Sequence, residues 1–140
     1  PIKAEINVHH MAQIAFLRAR STDELSNLVN AELSELDPDS DETLEQRQKL
    51  ASQIGVMRSK ALTDYSRAFT INYGQERGLA LRAMIGSMKL IKRMPNFSTN
   101  FVMQKEAHGI AKLFNGISPS NMPAELSDLL QAPVDPDAGK

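Results

Sequence analysis

Three groups of side chains in this 140-residue chain are of types that can do chemistry. Pro1 carries an N-terminal amine, which can act as a base or a nucleophile. His9, His10 and His108 are of the type that binds metals or carries protons near neutral pH. Segment 37–42 has carboxylates at alternate positions, as calcium-binding loops do. Each group has to be weighed against a simpler structural explanation.

The histidines and the acidic segment lack the spacing that a metal site needs. His9 and His10 are adjacent and so point to different sides of a helix or strand, whereas zinc sites use spacings such as H-x-x-x-H. An EF-hand loop needs a glycine at its sixth position, and segment 37–42 has no glycine and carries Pro38 at its second position. Helix capping accounts for these carboxylates. We therefore predict no catalytic residue, no metal site, no cofactor and no small-molecule substrate.

Two short segments resemble known families. The dipeptide Pro1-Ile2 resembles the start of the tautomerase superfamily, whose members use the N-terminal proline amine. That resemblance implies a βαβ unit, whereas residues 8–115 have helical periodicity. Residues 110–120 resemble the turn of a helix-turn-helix DNA-binding domain. Here Gly116 comes one residue late, and the segment that would read DNA carries no basic residue. We assign the chain to neither family and predict that it is not an enzyme.

Composition limits the remaining classes. Apolar residues make up 41% of the chain, which is enough to bury one core in one domain. Cysteine is absent, so the chain has no disulfide and no thiolate zinc site, as is typical of a reducing compartment. No apolar run approaches the ~20 residues that span a bilayer, and residues 1–5 lack the apolar segment of a secretory signal. We expect a cytoplasmic protein without a membrane span.

Hydrophobic spacing predicts an all-α fold of four to five helices. The Asp-Pro-Asp-Ser segment 37–40 separates two long helices, about 8–36 and 41–72, which we expect to form an antiparallel hairpin. Two shorter helices follow, about 75–94 and 98–115, with Asn96 or Ser98 as the cap of the last. Residues 1–7 alternate in polarity and predict a short extended arm, and 123–131 predict a short fifth helix. We expect a single helical domain over 1–132 and a flexible, disordered C-terminal tail over 133–140.

The same spacing predicts which side chains face the core. On the first helix these are Met11, Ala15 and Phe16, followed by Leu25, Leu28, Val29, Leu33 and Leu36. On the second they are Leu50, Ile54, Met57, Ala61, Tyr65 and Ala68. On the third and fourth they are Leu81, Met84, Ile85, Met88 and Ile91, and then Met103, Ala107, Ile110 and Phe114.

Charge is distributed unevenly along the chain, although the net charge is only −1. Residues 21–46 contain nine acidic residues and no basic one, whereas residues 47–112 contain twelve basic and three acidic residues. Such blocks predict an acidic surface and a basic surface on one molecule. The acidic residues that we expect to bind a partner are Glu32, Glu35, Asp39, Asp41 and Glu42.

The third helix supplies the candidate basic surface. Its residues Arg82, Lys89 and Arg93 are spaced by seven and four and so share one side, with Lys92 beside them. Gly78 and Gly86 fall on that side too, where they would let a partner approach closely. We therefore predict an interaction or assembly module that self-associates or docks on a charged protein. The alternative is a nucleic-acid-binding protein that grips phosphates with the basic face of helices two to four.

Overall fold

The protein is described by a computed structural model covering residues 2–72, 77–95, 97–124 and 127, with the side chains of all of these except 2–8 and 72. Within these ranges the chain forms α1 (Ile2–Ser34), α2 (Leu44–Asn72), α3 (Arg77–Arg93) and α4 (Phe101–Ile117), joined in part by short 3₁₀ helices at Asp41–Thr43, Phe97–Thr99 and Pro119–Asn121. None of the residues in these ranges forms a strand. The prediction of an all-α fold built on a long helical hairpin is confirmed.

Helix boundaries differ from the prediction at two places. The extended arm predicted for residues 1–7 is wrong over residues 2–7, which are helical. Three polar-apolar alternations are too few to specify a strand, and the segment contains no helix breaker after Pro1. The predicted caps of the fourth helix are also wrong, because Asn100 caps α4 by accepting a hydrogen bond from the Met103 backbone N–H at 3.1 Å.

Small side chains hold the two long helices together. Ala12, Ala15 and Ala19 recur at three- and four-residue intervals along α1 and are fully buried. Ala15 and Ala19 pack in one cluster with Ala61 and Ala68 of α2. Because alanine adds so little bulk, the two backbones can lie close together over this length. The inward face of α1 is therefore an alanine face.

The predicted inward face of α1 is consequently wrong at three residues. Met11, Leu25 and Leu28 are exposed, whereas Ala15 is buried as predicted. Phe16, Val29 and Leu33 are half-buried, as is Leu36, which lies just beyond the end of α1. A helix that packs through alanines buries its small residues, and the larger ones on its far side then face solvent.

α3 lies between the hairpin and α4. Its Ala83 and Leu90 pack on the alanine face and on Tyr65 of α2. Its other apolar side, with Met88 and Ile91, packs against α4 in a cluster that includes Phe114. The predicted inward residues of α2, α3 and α4 are all buried or half-buried. α3 therefore buries apolar residues against both of its neighbours.

Several predictions lie partly or wholly outside the described residues. The tail 133–140 lies outside them, and of the predicted fifth helix only Pro123, Ala124 and Ser127 are described, the last two of which are helical. Within residues 110–120, which resemble a helix-turn-helix turn, α4 continues through Gly116 to Ile117 and a 3₁₀ helix follows at Pro119–Asn121. Among the described helices, none is long and apolar enough to cross a membrane.

Candidate interaction surfaces

The turn of the α1–α2 hairpin concentrates exposed carboxylates. We call residues 32–45 the acidic tip; its seven exposed acidic residues are Glu32, Glu35, Asp37, Asp39, Asp41, Glu42 and Glu45. All five residues of the predicted acidic partner-binding set belong to it. These five come from the end of α1, the turn and the 3₁₀ helix before α2, so the turn brings them to one end of the hairpin.

Side-chain hydrogen bonds order the acidic tip. The Asp37 carboxylate accepts a hydrogen bond from the Asp39 backbone N–H at 3.0 Å. The Thr43 hydroxyl donates to the Asp37 carbonyl oxygen at 2.7 Å. Arg47 donates to the Ser40 carbonyl oxygen at 2.9 Å and to the Thr43 hydroxyl at 2.9 Å. The turn is thus tied by its own side chains, and the cation nearest in sequence binds backbone and hydroxyl oxygens.

The predicted basic residues lie on α3, and two of them contact α1. The Arg82 guanidinium lies over the Phe16 ring, 5.6 Å from its centroid. Arg93 forms an ion pair with Asp23 of α1. Lys89 and Lys92 are exposed. Arg82 and Arg93 of the predicted basic face therefore help to attach α3 to α1.

Gly86 does not serve the role that the sequence predicted for it. A Cβ atom at Gly86 would lie 2.6 Å from Cε1 and Cζ of Tyr65, so the neighbour that approaches this glycine is α2 of the same chain. At Gly78, by contrast, a Cβ atom would meet no heavy atom within 4 Å. The prediction that Gly86 leaves room for a partner is wrong.

A partly buried charge cluster lies where α1, α2 and α3 meet. Asp23 and Arg58 are buried, and Arg58 donates to the Arg93 carbonyl oxygen at 3.4 Å. Burial lowers the pKa of Arg58, and the positive charge of Arg93 lowers it further. Burial also raises the pKa of the nearby Tyr65 to about 12, with the negative charge of Asp23 as the second cause.

Sequence reasoning did not find this cluster. Asp23 and Arg93 are 70 positions apart, and Arg58 and Arg93 are 35 apart. Each also belongs to a long block of like charge, so nothing in the local pattern distinguishes it from its exposed neighbours. The cluster joins the acidic block to the basic block inside the fold.

A second set of charges crosses the hairpin on another side. Asp64 of α2 accepts a hydrogen bond from Arg18 of α1 at 3.0 Å, and Arg67 lies 3.8 Å from the same oxygen. These residues line an open cleft of about 520 Å³ together with hydroxyl and lysine side chains. Because one carboxylate faces two guanidinium groups here, the cleft keeps an excess of positive charge.

The histidines are distributed over two helices. His9 and His10 follow each other on α1, with ring centroids 6.1 Å apart, and His108 is on α4. In the described part of the chain, no group of three or more histidine, aspartate or glutamate side chains is placed to hold a metal ion. Comparisons with protein-family models, with curated protein sequences and with solved structures find no match to this chain.

Proposed function

We propose that this protein is a non-enzymatic interaction and assembly module, which self-associates or docks on a charged partner through separate acidic and basic surfaces. The observation that carries the proposal is the acidic tip. Seven exposed carboxylates gather at one end of the hairpin. The described basic residues other than Arg47 and Lys49 lie further from the turn on α1 and α2, or on α3 and α4.

The acidic tip supports this proposal because, in the described part of the chain, its carboxylates form no ion pair and Arg47 binds hydroxyl and carbonyl oxygens of the tip instead. Among the described residues, no cation lies within ion-pair distance of the seven carboxylates. The ion pairs that cross between helices instead use Asp23 and Asp64, which lie outside the tip. A concentrated field of one sign accelerates and orients association with a surface of the opposite sign.

Salt dependence tests the proposal directly. Opposite charges on exposed surfaces are screened as the Debye length shortens from about 14 Å to about 4 Å between roughly 50 and 500 mM salt. We expect the apparent mass from light scattering, or the affinity for a basic protein partner, to fall over this range. A variant with five substitutions in the tip (Glu32→Gln, Glu35→Gln, Asp39→Asn, Asp41→Asn and Glu42→Gln) should no longer show this fall in mass or affinity as salt rises.

The matched control removes acidic charge outside the tip. Glu24 and Glu106 are exposed on α1 and α4, and Glu24→Gln with Glu106→Gln should leave the salt dependence close to that of the wild type. A wild-type mass that is constant at every salt concentration, with no basic partner bound, would contradict the proposal.

Nucleic-acid binding is the competing outcome of the same experiments. Lys89→Glu with Lys92→Glu tests this outcome while leaving the ion pair between Arg93 and Asp23 in place. If a random duplex is shifted by the wild type at low salt, but not by this variant, the basic face binds phosphates. Binding that depends on the acidic tip and not on these lysines supports the protein-interaction proposal.

A further inference from the structure

α1 exposes a row of large apolar side chains on the side away from its alanine face. We call this row the α1 stripe; its members are 48% to 68% exposed, and they are Met11, Ile14, Leu17, Leu25 and Leu28. Single exposed apolar residues are ordinary on protein surfaces. Five along one side of one helix form two apolar groups, Met11, Ile14 and Leu17 at one end and Leu25 and Leu28 at the other, and exposed apolar groups on one face are typical of an interface.

The α1 stripe has the spacing of a coiled-coil seam. Positions 11, 14, 18, 21, 25 and 28 alternate steps of three and four residues, which is a heptad repeat of 3.5 residues. Apolar residues occupy the two outer pairs, with Leu17 beside them. The central pair is Arg18 and Ser21, and the Arg18 guanidinium is bound to Asp64 of α2 at 3.0 Å. The centre of the seam therefore carries one small residue and one arginine that is held by its own subunit.

Four residues of the α1 stripe are also symmetric about a midpoint between Ala19 and Arg20. If a second α1 runs antiparallel about that point, Met11 lies opposite Leu28 and Ile14 lies opposite Leu25, because each pair is equally distant from the midpoint. A two-fold axis brings the same patch of both copies together, so the patch must be complementary to its own reversal. These four residues meet that condition, whereas Leu17 lies opposite position 22.

Charge favours the antiparallel direction over the parallel one. Glu32 continues the heptad repeat of α1 beyond the α1 stripe, and Glu35 follows at the next heptad spacing, one residue past the end of the helix. A parallel pair would place each glutamate against its own copy, and like charges in contact are destabilising. The antiparallel pair places them opposite positions 7 and 4, and brings Glu32 about one turn from His10 of the second copy.

We propose that α1 is a homodimerisation helix, on which a second copy of the chain packs antiparallel about a two-fold axis near residues 19 and 20. An open groove of about 490 Å³ continues the α1 stripe towards α2 at the Met11 end. In the dimer, Leu28 of the second copy lies beside this groove at Met11. The two-fold axis places Leu28 of the first copy beside the groove of the second. The groove is lined by Met11, Ile14, Ala15, Arg18, Arg67 and Ile71.

This dimer uses a different surface from the charged docking proposed above, and the two can fail independently. Apolar burial is not weakened by salt, whereas attraction between exposed charges is screened. The dimer should therefore remain at about 500 mM salt, where docking through the acidic tip is lost.

Measuring mass at about 500 mM salt tests the dimer. Sedimentation equilibrium should give about 31 kDa, which is twice the 15.5 kDa of one chain. Leu25→Glu with Leu28→Glu should weaken dimerisation at least tenfold without unfolding the chain, because both side chains are exposed in one subunit. Val102→Glu on α4 is the control, since Val102 is an exposed apolar residue on another helix and should leave the dimer unchanged. A monomer at every concentration, or equal effects of the Leu25→Glu, Leu28→Glu double variant and the Val102→Glu control, would overturn the proposal.

Cysteine crosslinking tests the direction, because the chain has no native cysteine. In the antiparallel dimer, two copies of Ser21→Cys lie about 5 Å apart along the helix axis, whereas two copies of Leu28→Cys lie about 25 Å apart. A disulfide needs Cα atoms within about 7 Å. Ser21→Cys should therefore form a covalent dimer under mild oxidation, and Leu28→Cys should not. A covalent dimer of Leu28→Cys would require the parallel arrangement and overturn the proposal.

Discussion

Gly86 lets α3 pack against the ring of Tyr65. Any larger residue would place its Cβ 2.6 Å from two ring carbons, closer than atoms of packed side chains come. Tyr65 is itself buried and belongs to the same cluster as the alanines of the hairpin, so the ring has little room to move aside. The absence of a side chain at this single position therefore sets how closely α2 and α3 approach.

Substitution of Gly86 by alanine should destabilise the protein. The overpacked contact costs about 1–3 kcal/mol, which outweighs the ~1 kcal/mol that alanine contributes as the better helix former. The control is Gly55→Ala on α2, where the added Cβ meets no heavy atom within 4 Å and the unfolding free energy should rise by about 0.5–1 kcal/mol. Urea denaturation measures both. If both substitutions stabilised the protein, the Tyr65 ring would have to move at no cost.

Ionisation of Tyr65 should make stability depend on pH above pH 10. Burial holds the pKa of Tyr65 at about 12 in the folded chain, against 10.0 when it is unfolded. A raised folded pKa means that the unfolded state releases the proton first, so the unfolding free energy is unaffected below pH 10 and falls as pH rises from 10 to 12. The loss should reach about 2–3 kcal/mol.

Comparison with Tyr65→Phe isolates this contribution from the other groups that titrate at alkaline pH. The wild type should lose stability more steeply than Tyr65→Phe between about pH 10 and pH 12. Unfolding free energies from urea titrations at pH 9 and at pH 11.5 give the two slopes. Parallel slopes for the two proteins would show that the Tyr65 hydroxyl ionises equally readily in the folded and unfolded states.

At the scale of helices, the ion pair between Asp23 and Arg93 joins α1 to the end of α3. Arg58 of α2 lies beside it, buried and with its Nε atom lacking a hydrogen-bond partner among the described atoms. Asp23 therefore balances the charge of two guanidinium groups from two other helices. Removing its charge leaves both of them without compensation, which is the costly way to break a buried pair.

Replacing Asp23 by asparagine should lower the unfolding free energy by about 2–3 kcal/mol. This figure is below the range for fully buried pairs, because Arg93 is partly exposed to solvent. The control is Glu24→Gln, which removes an exposed pair with Arg20 on the same helix and should cost at most about 0.5 kcal/mol. Chemical denaturation at pH 7 compares the two variants. Losses of equal size would mean that Asp23 does not hold α3 in place.

At the scale of the whole molecule, the hairpin extends past the helices that pack on it. Arg93, at the end of α3, meets α1 at Asp23, and α1 continues for about 16 Å to Ser34. The acidic tip therefore lies beyond the level at which Arg93 contacts α1. An elongated hairpin with a charged end can reach a partner without moving the core.

The two proposals combine into one assembly. An antiparallel α1 dimer carries its acidic tips at opposite ends, since the two hairpins point in opposite directions. Each dimer then presents two equivalent docking sites, and binding of one tip to an array of partners raises the effective concentration of the other. If only the dimer proposal fails, the protein is a monomer with one charged docking end. If only the docking proposal fails, it is a dimer held by its apolar contact alone. The salt and mass measurements separate these cases.

Sequence alone determined the helical class, the hairpin turn and the segregation of charge. The Asp-Pro break, the 3.6-residue spacing of apolar residues and the acidic and basic blocks are local patterns, and each physical cause lies within a few residues of its effect. For this reason the inward faces of α2, α3 and α4 and the position of the acidic residues near the hairpin turn could be predicted. The cap of α4 could not, because Asn96 and Ser98 are also good capping residues and precede Asn100 in the chain.

Only the tertiary structure decided which face of α1 is buried and which charges pair. α1 carries two apolar sides, one of alanines and one of larger residues, and helical spacing fits both. The close approach of α2 through Ala61 and Ala68 selects the alanine side. Likewise, Asp23 meets Arg93 because three helices converge there. These contacts join residues far apart in the chain, and their energies depend on packing that no local pattern contains.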